Sequence, residues 1–312
     1  IRLSVPCRLT YEHGRALMPA LIYKVLSVVF PVFSVIGIGY LFANLRKLSL
    51  EPIIELLLYL TVPALVISSL SKKSLVLGDL ATVSFAAVCV VLGTGAISYI
   101  YLTAIKRKEL RGFYLPAMFM NSGNMAFPLA LLAFGHEGLA VAVLYYIAVS
   151  LMVYSLGIYI AKGGKGGLSE IFKLPLIYAS VAGIALNLAG LRLPEPVLTA
   201  ADMLGAATIP LMLVSLGYRL RSARISDAGI TLAGTVIRIG GGFVIAYLVT
   251  LVLGINGLNQ KIIILSSAMP SAVINFIVSH RYNLDSELVT SIVVASTLLS
   301  IITTPLVLML IM

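Results

Sequence analysis

Apolar residues in this chain are gathered neither into helical stripes nor into strand-like alternation. They form long runs, separated by short stretches where Lys, Arg, Gly and Pro collect. A bilayer-crossing helix needs about 20 apolar residues, so each run reads as one crossing. The first half of the chain carries runs at about 20–42, 52–70, 80–104, 112–134 and 139–160, and the second at about 175–191, 203–220, 228–253, 261–280 and 287–312. A Gly and Lys rich link, Lys162 to Gly167, lies between them. Five crossings per half is an odd number, so any likeness between the halves must be of opposite orientation in the membrane, as in many secondary carriers.

The pattern predicts an all-α integral membrane protein of ten helices in two inverted repeats of five. Its divisions are a tail or start-site extension over 1–17, a first repeat over 18–161, a cytoplasmic linker over 162–174 and a second repeat over 175–312. The tail is set aside because it contains Arg2, Arg8 and Arg15 with no apolar run, whereas Met18 opens the first hydrophobic stretch. The repeat can be tested on the letters. Thr-x-Pro around Pro63 returns around Pro210 at a separation of 147, Asp79 and Asp227 stand 148 apart, and Met120, Ser122 and Phe127 pair with Met269, Ser271 and Phe276 at 149. Three anchors at nearly one spacing support a duplicated plan.

Composition narrows the class. Of 312 residues 60% are hydrophobic and 11% charged, which no ordinary soluble domain matches. The net charge of +10 could suggest nucleic acid, but here the charges punctuate apolar runs instead of lining a basic groove, so no nucleic-acid partner is expected. They instead set topology: alternate connections carry roughly 13 and 4 Lys and Arg, which places both termini outside the cytoplasm of a multi-pass cell-membrane protein. The clusters Lys106, Arg107, Lys108, Arg111 and Arg219, Arg221, Arg224 then lie inside. Cys7 and Cys89 cannot form a metal cluster alone, and no metal or cofactor is expected.

Candidate chemistry sits where the runs are interrupted. The fourth contains Asn121, Ser122, Gly123, Asn124 and Pro128, polar or helix-loosening residues in mid-membrane. The ninth repeats the disturbance with Pro270, Ser271 and Asn275. Freed backbone groups at that depth survive only where protein or a water-filled cavity satisfies them. Paired interruptions in corresponding crossings point to a midplane binding site, where half-helix N-termini present N–H groups to an anion. Asn121, Ser122, Gly123, Asn124, Ser271 and Asn275 are therefore the candidate substrate contacts, and Pro128 and Pro270 the helix breakers.

The pattern Asn-x-Gly-Asn-x-x-x-Pro, met by Asn121, Gly123, Asn124 and Pro128, together with Met269-Pro270-Ser271-Ala272, resembles the auxin efflux carrier family, which belongs with the bile acid sodium symporters in one superfamily. The likeness covers nearly the whole chain after Met18. It implies a scaffold and a transport subdomain, fourth and ninth helices that unwind and cross, elevator-like movement, and organic acids as cargo. Plant members carry a long loop between the fifth and sixth helices, whereas about fourteen residues, Ala161 to Leu174, stand here. This compact form looks like the prokaryotic members and favours a small carboxylate over auxin.

Arg238, inside the eighth run, is a further candidate: a substrate contact, a snorkelling side chain and a hydrogen bond to a carbonyl are all open to it. His136, Glu137, His280 and Arg281 fall at helix ends and read as solvated, while Tyr145, Tyr146 and Tyr154 read as packing residues. The mapped cores contain no Asp or Glu, Asp202 being placed at a helix start, so a carboxylate proton relay or sodium site is not visible. Phosphate loops and hydrolase motifs are likewise not found, and the chain is not expected to be an enzyme. The reading is a secondary carrier of a small organic anion, with membrane lipids around it and a homodimer left open. A sodium-coupled symporter of the bile acid type and a transport-like membrane sensor are the alternatives.

Overall fold

The computed structural model describes residues 9–72, 77–164, 166–221 and 226–312. Arg2, Cys7, Arg8 and Arg224 lie outside them. Helices dominate the described residues, with short turns at Arg111–Phe113 and Leu168–Ile171 beside the longer ones. In chain order they are α1 (Leu9–Leu45), α2 (Glu51–Lys72), α3 (Leu77–Ala104), α4 (Tyr114–Met118), α5 (Ala126–Ala161), α6 (Pro175–Leu188), α7 (Glu195–Leu220), α8 (Ala228–Val252), α9 (Gly257–Ser267), α10 (Ile274–Arg281) and α11 (Ser286–Ile311). Seven of them, α1, α2, α3, α5, α7, α8 and α11, are long and apolar enough to cross a membrane. Phe30, Ile100 and Leu251 stand exposed on α1, α3 and α8, and such side chains belong against lipid. The chain is a multi-pass membrane protein.

The boundaries depart from the hydropathy reading in instructive ways. The first helix begins at Leu9, within the segment read as a tail. The fourth and ninth runs, by contrast, are interrupted where their polar residues and prolines lead one to expect, each with a gap, between Met118 and Ala126 and between Ser267 and Ile274. At 36 residues α5 would extend about 54 Å if straight, too long for one crossing, and Gly135 (φ 69, ψ −163) divides it. α6, with 14 residues, reaches only about 21 Å and falls short of a full crossing. α7 begins at Glu195 rather than near 203, because Pro194 is extended and a proline occupies its first turn, where a missing N–H costs no hydrogen bond. That correction moves Asp202 from a helix start to the second turn of an apolar helix.

Two packing groups follow from which helices touch. One joins α1, α2, α6 and α7; the other joins α3, α4, α5, α8, α9, α10 and α11. In the first, α1 and α7 meet backbone to backbone: a Cβ at Gly39 would lie 2.3 Å from the Val214 carbonyl oxygen, and one at Gly217 would lie 1.9 Å from that of Ile36. Three π-turns interrupt helices beside the gaps, at Leu57–Thr61 in α2, Val153–Gly157 in α5 and Ile237–Gly241 in α8. Such turns recur at functional sites.

Candidate functional site

The two gaps cross each other. Met120 and Ser271 form an isolated antiparallel bridge, in which Asn121 N donates to Pro270 O at 2.7 Å and Ala272 N to Phe119 O at 3.0 Å. These bonds satisfy backbone groups that leaving the helix would strand in an apolar interior. Four helix ends meet there: the C-terminal ends of α4 and α9 and the N-terminal ends of α5 and α10. Pro128 stands in the first turn of α5 and so starts the second half-helix without kinking its middle, whereas Pro270 lies in the gap itself.

The amides are held in different ways. Asn121 Oδ1 accepts from the backbone N–H of Asn124 at 3.2 Å. Because an N–H can only donate, this fixes Oδ1 inward and turns Nδ2 away, a buried donor with no partner among the described residues. Asn275 is reversed: its Nδ2 donates to Phe119 O at 2.9 Å and to Ser271 Oγ at 3.0 Å, leaving Oδ1 without a partner. Ser271 N in turn donates to Ser296 Oγ on α11 at 3.1 Å.

A cavity of about 120 Å³ opens against the crossover, lined by Asn121, Ser122, Gly123 and Asn124, by Tyr146, Ser150 and Tyr154 of α5, and by Ser215 and Arg219 of α7. The second gap contributes Ala272 and Val273 to its wall, but Ser271 and Asn275 do not line it, nor does Arg238. Ser215 Oγ is a second buried polar atom without a partner among the described residues. A larger cavity of about 530 Å³ shares Leu216, Arg219 and Val273 with the first and continues to Ser226, His280, Ser286 and Glu287. Arg219 stands 5.7 Å above the Phe276 ring there, a cation–π distance.

The opposite face has its own cavity, about 450 Å³, with Ser68, Lys72, His136 and Asp202 in its wall. Lys72 Nζ lies 2.6 Å from Asp202 Oδ1, and the Ser68 hydroxyl donates to the same oxygen. Asp202 is thus an acidic residue within an apolar helix, paired with a lysine. Sequence reading missed it by misplacing the start of α7. It also counted Arg219 as a loop charge and Tyr146 as packing. The signal for Arg219 was present: Ser68 and Lys72 recur as Ser215 and Arg219 at the spacing of 147 already seen for Pro63 and Pro210.

Arg238 lies in the π-turn of α8 and is fully buried. Its Nη1 donates to Ala117 O at 3.1 Å and Met118 O at 2.5 Å, and its Nη2 to Ser267 O at 2.9 Å. Tyr145 Oη stands 2.7 Å from Ser267 Oγ. Among the described residues no group of three or more His, Cys, Asp or Glu is placed to hold a metal ion.

Comparison with known proteins gives a consistent picture. The sequence matches a family described as membrane transport protein over residues 24–170 and 163–308. It is 32% identical over 299 residues to an uncharacterized transporter of Methanothermobacter thermautotrophicus, covering 90% of this chain and 96% of that one. An uncharacterized transporter of Methanocaldococcus jannaschii is 26% identical over 296 residues, covering 89% of this chain and 96% of its own.

Proposed function

The chain belongs to the auxin efflux carrier family of membrane transport proteins, and we propose that it is a secondary carrier of a small organic anion, working by alternating access at the crossover. Membership places it among transporters, which are not a class of enzymes. One observation carries the substrate class: the wall of the crossover cavity combines Asn121, whose buried donor Nδ2 has no partner among the described residues, with Arg219, the one charged residue of its described lining. The N-terminal ends of α5 and α10 add the positive partial charge of their helix dipoles. At about 120 Å³ the cavity is well below the 300–1,000 Å³ of sites for drug-sized ligands, which favours a short carboxylate over a bulky acid.

In this reading the repeats are inverted, the group α1, α2, α6 and α7 is the scaffold, and the other group carries the substrate. The 530 Å³ cavity is then the vestibule. It opens among the connections that follow α7 and α10, which belong to the Lys and Arg rich set, so the conformation is inward-facing and both termini lie outside. On the outer side Lys72 is occupied by Asp202.

A thermal-shift screen of the purified protein tests the reading, using short mono- and dicarboxylates beside their neutral amides. At least one acid should raise the melting temperature where its amide does not, equally in sodium and potassium buffers. Stabilisation by no acid, or by acid and amide alike, would overturn the anion reading. A requirement for sodium would replace it with the symporter.

A further inference from the structure

Arg238 presents an oddity that the substrate site does not absorb. A guanidinium with no exposed surface is expected to have a carboxylate partner, yet among the described residues its hydrogen bonds go to backbone carbonyls of Ala117, Met118 and Ser267. These carbonyls are not arbitrary. Ala117 and Met118 close α4, and Ser267 closes α9, so one side chain spans the C-terminal ends of both first half-helices. Last-turn carbonyls have no donor within their own helix and carry its negative partial charge. Three such oxygens converging in a buried place are what would otherwise hold a cation.

The fold makes room for this contact. A Cβ at Gly242, one turn beyond Arg238, would lie 2.2 Å from Nη2 and 2.3 Å from Ser267 O, so only glycine leaves space for the guanidinium. The π-turn that contains Arg238 alters where the side chain leaves the helix. Without a cation, two negative and two positive helix ends would meet at the crossover and largely cancel. With Arg238 on the negative pair, the positive ends of α5 and α10 dominate.

We propose that Arg238 is a built-in cation, seated on the carbonyl site formed by the ends of α4 and α9, and that it sets the crossover's preference for anions without touching them. It is a positioning residue. The anion part rests on the carrier reading above; the cation-site part does not.

The test therefore begins with a readout that needs no substrate. Wild type, Arg238→Lys, Arg238→Met, Arg238→Ala and Gly242→Ala are melted in choline chloride, then with guanidinium chloride replacing part of the choline at unchanged ionic strength. Arg238→Ala should melt well below wild type and regain more than half of that loss with guanidinium. Arg238→Met, which fills the space without charge, should stay low, and wild type should not be stabilised. Gly242→Ala should behave like the loss of the arginine. Should Arg238→Ala not yield folded protein, Arg238→Lys decides: recovery close to wild type beside a poor Arg238→Met supports a charge role. Arg238→Met melting like wild type, or guanidinium shifting every variant alike, would overturn the proposal.

A second arm uses any carboxylate found in the screen. Its affinity should fall at least tenfold in Arg238→Met and be retained in Arg238→Lys, with no change for the neutral amide; equal affinity in Met and Lys variants would refute the anion role. If no acid binds wild type, the carrier reading fails while the melting arm still decides the cation site.

Discussion

The two gaps are alike in backbone and unlike in chemistry. Both leave the helix near the crossover and pair with each other through the Met120 and Ser271 bridge. The first gap, however, folds its amide oxygen onto Asn124 N and leaves the donor Nδ2 without a partner among the described residues, while at the second the Asn275 donor braces Phe119 O and Ser271 Oγ and only its acceptor Oδ1 is left over. In the carrier reading the first gap is the face that receives the ligand and the second the buttress that holds it open. Laying the halves over one another at 149 puts Pro270 opposite Asn121 and Ala126 opposite Asn275, so the division is written in the residues.

Substitutions can break this comparison. The largest effect is expected at the buttress. Asn275→Ala removes donors to Phe119 O and Ser271 Oγ and should cost about 2 kcal/mol of stability with or without substrate, read by thermal or denaturant unfolding. An unchanged melt would mean that the second gap is held by its proline and backbone alone. Next comes the receiving face: Asn121→Ala should weaken binding of an identified carboxylate about tenfold, or about 1.4 kcal/mol, while the empty protein loses less than Asn275→Ala does. The reverse ranking of the two variants in stability would invert the assignment.

The contrast extends to Lys72 and Arg219, which stand 147 residues apart, with a smaller effect. Arg219→Met should lower carboxylate affinity severalfold, whereas Lys72→Met should leave it near wild type, because Arg219 lines the crossover cavity and Lys72 does not. Lys72 and Asp202 are each about a third exposed (37% and 35%), so losing their pair should change stability by about 1 kcal/mol or less. Titration calorimetry on both variants sharpens the comparison.

The smallest effect serves as a control away from both gaps. In the linker, hydrogen bonding to Lys173, and secondly to Lys162, holds the Glu170 carboxyl below its ordinary value. A depressed folded value stabilises the protein above the unfolded pKa, and this contribution is lost as pH falls through the folded one. Glu170→Gln should therefore remove a few tenths of a kcal/mol near neutral pH and nothing in strong acid, where the wild-type carboxyl is already protonated. Melting curves across that range check the sign.

How much of this was legible in the letters depends on what each feature is made of. The seven long crossings among the described residues are made of apolar length, which hydropathy reads directly. The gaps at Asn121 to Asn124 and around Pro270 are made of residues that loosen a helix, and their spacing gave the pair away. Arg238 was legible as an anomaly but not in its role, because its partners are backbone carbonyls, which every residue possesses and no letter marks. Asp202 was misplaced because hydropathy starts a helix where apolar residues begin, while Pro194 and Pro196 start α7 on backbone geometry. Asn275 was grouped with Asn121 since an amide looks the same whether its donor is spent or free.

The three π-turns have a consequence for insertions and deletions. Each is a helical turn carrying one residue more than an α-helix would place there, and an α-helix advances about 100° per residue. The wider turn absorbs that residue locally, so losing a single codon within Ile237–Gly241 would return α8 to regular winding with both flanks facing as before, and would remove only the bulge that carries Arg238. The same loss in α2 or α5 would flatten a bulge in the cavity wall at Leu57 or Tyr154. A single-codon loss elsewhere in these helices has no such turn to absorb it and would swing everything beyond it by about 100°, so these three short stretches are where a change of length is best borne.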